Sequence, residues 1–527
     1  MGSSQNAITI EHAFETSIGE LGWGQLKATL LGDYPWLTTA MQVFLMSLAE
    51  FDPVAEGMWS CVDPNDGECL AVQNLKDIRD RKNQFCELDE SQWQWDRRDS
   101  SIVSDFGLQC EDGKVEVVKS AFFVGWLVGA GFLGYVADRL GRRDVLFCAM
   151  AISAISTLLG SLAPSYWFYL ASRIFSGIGN GGQSVTCFVL VSEIIGQRFR
   201  GKHTFWCQFH FVAGECLIVG LAMLIKPWRY LTLSVELFIL PFFAACWWIP
   251  RSPRWLLIRG RRDEAIEVLK KIAKDNGTKM PDAPIMAVDH KQDTNKVLRD
   301  LLKHAKLRMW FLISMATWLI VCVGYYGVTL TTNRMKGSRY AKFLWMSLAE
   351  LPAYILFPLV VDVLGRKPLY VGGFVIGGVS CLAVLLVPGW LEMPMAVLGK
   401  FGLSGVFALA YGYTMEIFPT SVRNASVGAS DVSSRIGGIL APQISLLAQT
   451  FSSSFPFIFF AVVNLFAALI SLGLPETMGK PLPDSIEDVD KANAVDTNAR
   501  KEKKSWFRKS QPYDRVPDEG VTAPLNA

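Results

Sequence analysis

The sequence predicts an all-α membrane protein of twelve transmembrane helices, arranged as two similar six-helix halves. Three observations carry this prediction. Apolar residues gather in runs of roughly 18–25, long enough for a helix to cross a hydrocarbon core of about 30 Å. Charged signatures recur at one spacing. Gly134-Tyr-Val-Ala-Asp138-Arg-Leu-Gly141-Arg142-Arg143 is echoed far downstream by Asp362-Val-Leu-Gly365-Arg366-Lys367. Glu193…Arg200 returns at nearly the same offset as Glu416…Arg423, and Ile249-Pro-Arg251-Ser-Pro-Arg254 is loosely matched, again at that offset, by Leu474-Pro-Glu476-Thr. Three signatures at one offset mark a tandem repeat. The third observation is that the Arg/Lys-rich short loops alternate along the chain.

In order, residues 1–24 are polar and partly amphipathic, with Glu11, Glu15 and Glu20 where a signal peptide would be basic, so no cleavable leader is expected. The first span is placed at 26–48, with Asp33 and Pro35 interrupting it and Glu50 flanking it. A polar segment, 53–115, follows. Between Cys61 and Asp112 it holds thirteen acidic residues against six Lys or Arg. Spans are then expected at 116–137, 144–163, 166–188, 203–225 and 229–249, closing an N-terminal bundle over 25–249. A charged loop, 250–307, contains Asp263–Ala273 at helical period. Six more spans, at 308–331, 339–361, 368–387, 394–414, 424–447 and 455–473, form a C-terminal bundle over 308–473. A polar tail, 474–527, carries a Lys501–Arg508 cluster, suited to a solvated tail or to contact with anionic lipid.

Arg139, Arg142 and Arg143 follow span 2, and Arg198, Arg200 and Lys202 follow span 4. The 250–307 loop follows span 6, Arg366 and Lys367 follow span 8, and Arg423 follows span 10. Every basic loop follows an even-numbered span. The positive-inside rule therefore puts these loops and both termini in the cytosol, and segment 53–115 outside or in a lumen. On that oxidising side Cys61, Cys69, Cys86 and Cys110 are expected to pair, in one of three connectivities. The segment has no His and its cysteine spacings are wide, which disfavours zinc. The two Asn-x-Ser/Thr sites, at Asn276 and Asn424, fall on the cytosolic side, so no N-glycan is expected.

Composition closes other routes. A net charge of +2 gives no general case for nucleic-acid binding. No Gly-x-x-x-x-Gly-Lys-Ser/Thr loop is present, and His occurs only five times. No catalytic triad, metal cluster or cofactor motif stands out, so an enzyme is not expected and no cofactor is implied.

Topological anchoring explains the arginines of the hairpins but not Asp138, Glu193, Asp362 and Glu416, because acidic residues contribute little to orientation. Paired with Arg142, Arg143, Arg200, Arg366 and Arg423, they form charge-assisted bonds between helix ends. They are read as latches, formed when the cytosolic side closes and broken when it opens, with Glu476 as a further member. Such latches bias a two-state equilibrium rather than do chemistry.

These residues carry a resemblance. Gly-x-x-x-Asp-x-x-Gly-Arg-Arg with its C-terminal echo resembles the major facilitator superfamily. Pro-x-Ser-Pro-Arg254-Trp-Leu, Glu416-Ile-Phe-Pro419-Thr-x-x-Arg423-Asn, Pro475-Glu476-Thr and Leu482-Pro-Asp484-Ser-Ile-Glu487-Asp narrow it. The cysteine segment and Ser104-Asp-Phe-Gly-Leu-Gln-Cys110 are similar to the organic cation, anion and carnitine transporters, plant-type members most of all. The likeness runs from residue 11 to 490 and implies the major facilitator fold and secondary transport. One departure is Arg251, where the family usually has Glu.

Ionisable or strongly polar side chains inside spans are functional candidates by default. Here they are Arg173, Gln208, His210, Glu215, Glu236, Glu350, Lys400, Asp431 and Arg435. Arg173 and Lys400 occupy equivalent places in the two halves, each beside a glycine-containing run, and are expected to be helix-packing or cytosolic-end charges. Gly177-Ile-Gly-Asn-Gly-Gly182 is expected to mediate close helix contact. Glu215 and Glu236 are candidates for proton coupling, hence symport. The resemblance implies substrate contacts for Gln208, Trp318, Tyr325, Glu350 and Tyr411. At the position of Arg435 it implies Asp in cation carriers and Arg in anion and carnitine carriers. Asp431 lies one turn from Arg435 and can pair with it. Aromatic faces bind quaternary ammonium groups, so the expected cargo is a small organic cation or a carnitine-like zwitterion. The rival readings are an organic-anion carrier governed by Arg435, a non-transporting sensor or scaffold, and a sugar porter. A monomer in the plasma membrane is expected, with a vacuolar or other internal membrane as the alternative.

Overall fold

The computed structural model describes residues 8–480 and Pro483, apart from 76–77, 97–99, 282, 287–298, 300, 333–334, 336 and 453. The Lys501–Arg508 cluster and most of the tail motif from Leu482 lie outside the described residues. A helix stands at each expected span. In the first half these are α1 Trp23–Ala49, α2 Asp112–Leu140, α3 Arg142–Ser161, α4 Tyr166–Ile194, α5 Gln197–Leu224 and α6 Trp228–Ala245. In the second they are α7 Ala305–Thr331, α8 Arg339–Leu364, α9 Arg366–Leu386, α10 Gly389–Ile417, α11 Thr420–Thr450 and α12 Phe455–Ser471. Among the described residues, α2 to α10 are long and apolar enough to cross a membrane. α12 is apolar but has only 17 residues, while α1 and α11 carry polar and charged side chains that face the interior.

Three breakers in the sequence act differently. Pro35 is absorbed inside α1, where the Thr38 hydroxyl donates to its carbonyl at 3.0 Å. Pro241 and Pro352 do interrupt their helices. Regular α-helix stops at Leu237 in α6 and at Leu348 in α8, each four residues before the proline. That is where the missing proline N–H leaves a carbonyl unbonded. The break in α8 puts Glu350 at the start of its second segment.

Within the first half, α2 and α4 touch through backbone. A Cβ on Gly125 or Gly129 would lie 2.0 Å from the carbonyls of Ile174 and Ile178, and one on Gly177 or Gly181 would lie 2.1 Å from those of Phe122 and Trp126. The glycine run of α4 is therefore a packing seam, of the small-residue kind that membrane helices use in place of hydrophobic drive.

The two ends of the bundle differ. On one side, residues 53–111 form a small cap. An antiparallel pair of strands, Trp59–Cys61 with Trp93–Trp95, covers a core of Val54, Trp59, Val72, Phe85 and Leu88. Cys61 joins Cys69 and Cys86 joins Cys110, which selects one of the three possible connectivities. Lys82 ties the cap to the membrane helices through Asp52 and Asp112. Burial alone would lower the Lys82 pKa, but the two carboxylates outweigh it and hold it above its ordinary value. On the opposite, latch side lie the tight hairpins and a loop helix, Arg262–Asn276. Gly141 and Gly365, at φ +111° and +92°, join α2 to α3 and α8 to α9 with no other linking residue, a conformation that favours glycine.

On the cap side the halves meet directly. Ser120 of α2 donates to the Ile439 carbonyl at 2.8 Å and accepts from Gln443 of α11 at 3.0 Å. Lys226 bonds the Tyr340 hydroxyl at 3.1 Å, and the Arg339 guanidinium stacks 3.7 Å over Phe51.

Candidate substrate-binding site

The centre of the molecule holds an aromatic pocket between the halves. It is lined by Trp36, Trp126, Gln208 and Phe211 from the first half and Tyr325, Tyr326, Phe407, Tyr411 and Arg435 from the second. Trp318 stands behind it, its ring edge-on to Tyr411 at 4.4 Å and its indole N–H on Thr414 at 3.0 Å. The helical spacing of Trp318 and Tyr325 puts both on the inner face of α7, and both are buried.

Beside the pocket, Tyr325 leads to a fully buried charge cluster. Its hydroxyl donates to Glu350 at 2.6 Å and also lies 3.2 Å from Glu215. One phenol has one hydrogen, so the two carboxyl groups cannot both accept from it. Tyr354 donates to the other oxygen of Glu350 at 2.8 Å. Lys400 closes the cluster: its ammonium is 2.9 Å from Glu350 and sits 3.1 Å above the centre of the Tyr325 ring. Lys400 is thus part of this cluster, not a packing or end-of-helix charge. Its side chain is 1 % exposed, and a charge so buried needs a partner at hand. Arg173 is a helix-packing charge, the first of its two expected roles, joining α4 to α1. It lies toward the cap side against Glu50 at 3.6 Å, with its guanidinium 4.6 Å over Phe122 and hydrogen bonds to the Gln42 carbonyl.

A second charged group lies on α11. Arg435 pairs with Asp431 at 2.7 Å, Asp431 accepts from Tyr411 at 2.9 Å, and the guanidinium stacks 4.6 Å over Trp126. The alternative left open by the sequence, Arg435 paired or unpaired, is resolved here as paired. Glu236 stands apart from the pocket and accepts from Gln42 at 3.4 Å.

The latch residues form two matching clusters on the latch side. Arg142 bridges Asp138 at 2.9 Å and Glu193 at 3.3 Å; Arg366 bridges Asp362 at 2.8 Å and Glu416 at 3.0 Å. Each joins helices of its own half. The hydroxyl of Thr477 bonds Glu416, and Ser252, its counterpart at the repeat offset, lies beside Glu193, a match not read from the sequence. Glu476 caps α9, accepting from the N–H groups of Arg366 and Lys367 at 3.1 Å each. Arg251 makes no such cap; it binds Asp144 at 3.1 Å and Glu264 at 3.2 Å. In the first half the corresponding space is filled by Trp255, whose ring lies against Gly141 and whose indole donates to the Asp138 carbonyl at 2.9 Å. Arg200 turns back to the Ser192 carbonyl, Arg423 to that of Phe418, and Arg143 lies over Phe147. Glu11 reaches Arg254 at 2.8 Å, and burial pulls the Arg254 pKa below its ordinary value in spite of Glu11 and Glu193.

Sequence reasoning missed Trp36, Trp126, Phe211 and Phe407 in the lining, the placement of Lys400, and a buried pair of Asp33 and His203 one turn from the pocket. The repeat offset was the available signal for Ser252 and Thr477. None existed for the pair, which is separated by 170 residues.

Comparison with known proteins fits this architecture. The family described as "Sugar (and other) transporter" matches residues 81–488. Organic cation/carnitine transporter 4 of Arabidopsis thaliana is 33 % identical over 522 residues, covering 94 % of each chain. Organic cation/carnitine transporter 2 of Homo sapiens is 32 % identical over 400 residues, covering 74 % of this chain and 72 % of its own. Among solved structures, the inward open xylose transporter XylE from E. coli superposes with a TM-score of 0.61 at 18 % identity, over 87 % of this chain and 98 % of that one. The same protein bound to a sugar analogue gives 0.59 at 19 % identity, over 87 % of this chain and 97 % of that one. These structures show the fold alone. The family match over most of the chain, and relatives of this identity along nearly all of it, establish that the chain belongs to the organic cation/carnitine transporter family of the major facilitator superfamily.

Proposed function

We propose that this multi-pass secondary transporter carries small organic cations or zwitterions of the carnitine or betaine type, by alternating access between its halves. The supporting observation is the seat of the Lys400 ammonium. It rests on the Tyr325 face and against Glu350, the two contacts that an ammonium substrate seeks. Cation–π contact contributes about 0.5–2 kcal/mol per face, and the carboxylate adds charge. A substrate ammonium entering from the pocket would take Lys400's place on that face. Arg435, on the far wall, would meet a substrate carboxylate on exchanging its bond to Asp431. A zwitterion uses both ends.

Uptake into proteoliposomes of tetraethylammonium, L-carnitine and an aromatic carboxylate tests this reading. The first two are expected to move, and Glu350→Gln to lower their uptake at least tenfold. Transport of the carboxylate alone would replace the proposal with an organic-anion carrier, and Arg435→Asp would then reverse the preference. Absence of any flux would favour the sensor or scaffold. The basic loops support a cytosolic latch side, and the plasma membrane is the proposed location.

A further inference from the structure

One buried ionisable pair has no part in the substrate site. Asp33 of α1 and His203 of α5 are both 0 % exposed, and the Nε2 of His203 lies 2.9 and 3.0 Å from the two carboxylate oxygens. Asp33 is ten residues into α1 and His203 six into α5, so both sit roughly 10–15 Å from the latch-side helix ends. The other ring nitrogen of His203, Nδ1, is buried without a partner among the described residues.

Among the described residues, His203 is the basic side chain in contact with Asp33. Within its electrostatic reach are the thiols of Cys187 on α4 and Cys207 on α5, and Cys207 in turn faces the phenols of Tyr354 on α8 and Tyr411 on α10. Tyr34 of α1 donates to the Phe238 carbonyl, and Glu236 of α6 bonds Gln42. The nearest cations in sequence are engaged elsewhere: Lys27 lies 3.8 Å from Asp275 of the loop helix, and Lys202 lies over Phe199. With His203 neutral, the pair leaves one net negative charge in a dry interior. With His203 protonated, the net charge is zero. A buried uncompensated charge costs several kcal/mol, so loss of the proton is linked to entry of water.

What admits water is set by the other half. The Phe188 ring stacks on His203 at 5.1 Å, and Tyr411 of α10 packs on Phe188 at 6.1 Å. Tyr411 also lines the substrate pocket and holds Asp431. The residue that backs the cover over the pair is thus also a wall of the pocket. We propose that Asp33–His203 binds the coupling proton, making this protein a proton-linked transporter: His203 gives its proton to water on the latch side when rocking of the halves lifts Tyr411 from Phe188, and takes the next proton from the cap side, by way of the pocket that Tyr411 lines, when the halves rock the other way. The inference rests on the transporter fold and not on the identity of the cargo.

Two measurements on the full chain test it. The first is amide hydrogen exchange in lipid nanodiscs without substrate, at pH 6 and pH 8, corrected for intrinsic rates. Segments 23–35 and 197–207 are expected to exchange at least fivefold faster at pH 8, and this response is expected to vanish in His203→Gln and Asp33→Asn. An equal response in wild type and both variants, or none in wild type, overturns the proposal. The second is uptake of tetraethylammonium and of L-carnitine in proteoliposomes held at zero potential. For one proton per turnover, a gradient of one pH unit should raise accumulation up to about tenfold, and in either variant that ratio should fall to near one. Wild-type uptake indifferent to the gradient overturns the proposal. If neither probe is carried, the exchange result decides. If one variant fails to fold, the other serves.

Discussion

At the scale of single residues, the molecule's charges are organised by what each must be bonded to once buried. Lys400 and Glu350, 1 % and 0 % exposed, hold each other. Removing one member of such a pair costs about 3–5 kcal/mol, whereas removing both is far milder. Lys400→Met is accordingly expected to lower the apparent melting temperature in detergent strongly, and Lys400→Met with Glu350→Gln to recover most of the loss. Equal losses in the single and double variants would show that the pair contributes nothing as a pair. Glu350 was legible as an ionisable residue inside a span, whereas Tyr325 was legible only through family resemblance, because spacing alone cannot separate a binding aromatic from a core one. Lys400 was visible as an intramembrane charge but misplaced, since sequence spacing does not say which way a four-carbon side chain reaches. Asp33 read as a flaw in a hydrophobic run; its meaning depends on a partner 170 residues away.

At the scale of elements, twelve helices were legible because hydrophobic length and charged hairpins are local signals. What was not legible was which prolines would break a helix: Pro35 is carried within α1 while Pro241 and Pro352 interrupt theirs. The repeat also hides a difference in how α3 and α9 begin. Glu476 accepts two N–H groups at the start of α9, and a carboxylate there also meets the positive end of the helix dipole. Glu476→Ala is expected to cost about 1–2 kcal/mol, seen as faster amide exchange at the start of α9. In the first half, Arg251→Glu would place a carboxylate beside Asp144 and Glu264 in place of the guanidinium that now binds both. It is expected to destabilise the latch side even though it restores the family's usual residue. A gain in melting temperature for Arg251→Glu would mean that the capping geometry of α9 is also available to α3.

At the scale of the whole molecule, the two sides play unequal parts. Arg142 and Arg366 bind carboxylates within their own halves, so those bonds stiffen each half separately. The contacts that join the halves, Ser120 with Gln443, Lys226 with Tyr340, and Arg339 over Phe51, are gathered on the cap side. This conformation is therefore closed toward the cap, and its stability relative to the cap-open state depends on those bonds. A typical hydrogen bond contributes about 0.5–1.5 kcal/mol net, and about 1.4 kcal/mol is a tenfold change in an equilibrium constant. Gln443→Ala combined with Lys226→Ala removes two contacts that share no partner. The combination is expected to raise the cap-open population several-fold to tenfold or more without moving the melting temperature by a comparable amount, because each half keeps its own core. Distance distributions between spin labels at the cap-side ends of α2 and α11 measure that population directly. A distribution unchanged by the double substitution would mean that the aromatic packing of Phe44 on Phe343 and Phe123 on Tyr326, at 5.0 and 4.8 Å, holds the cap side closed without help from the polar bonds.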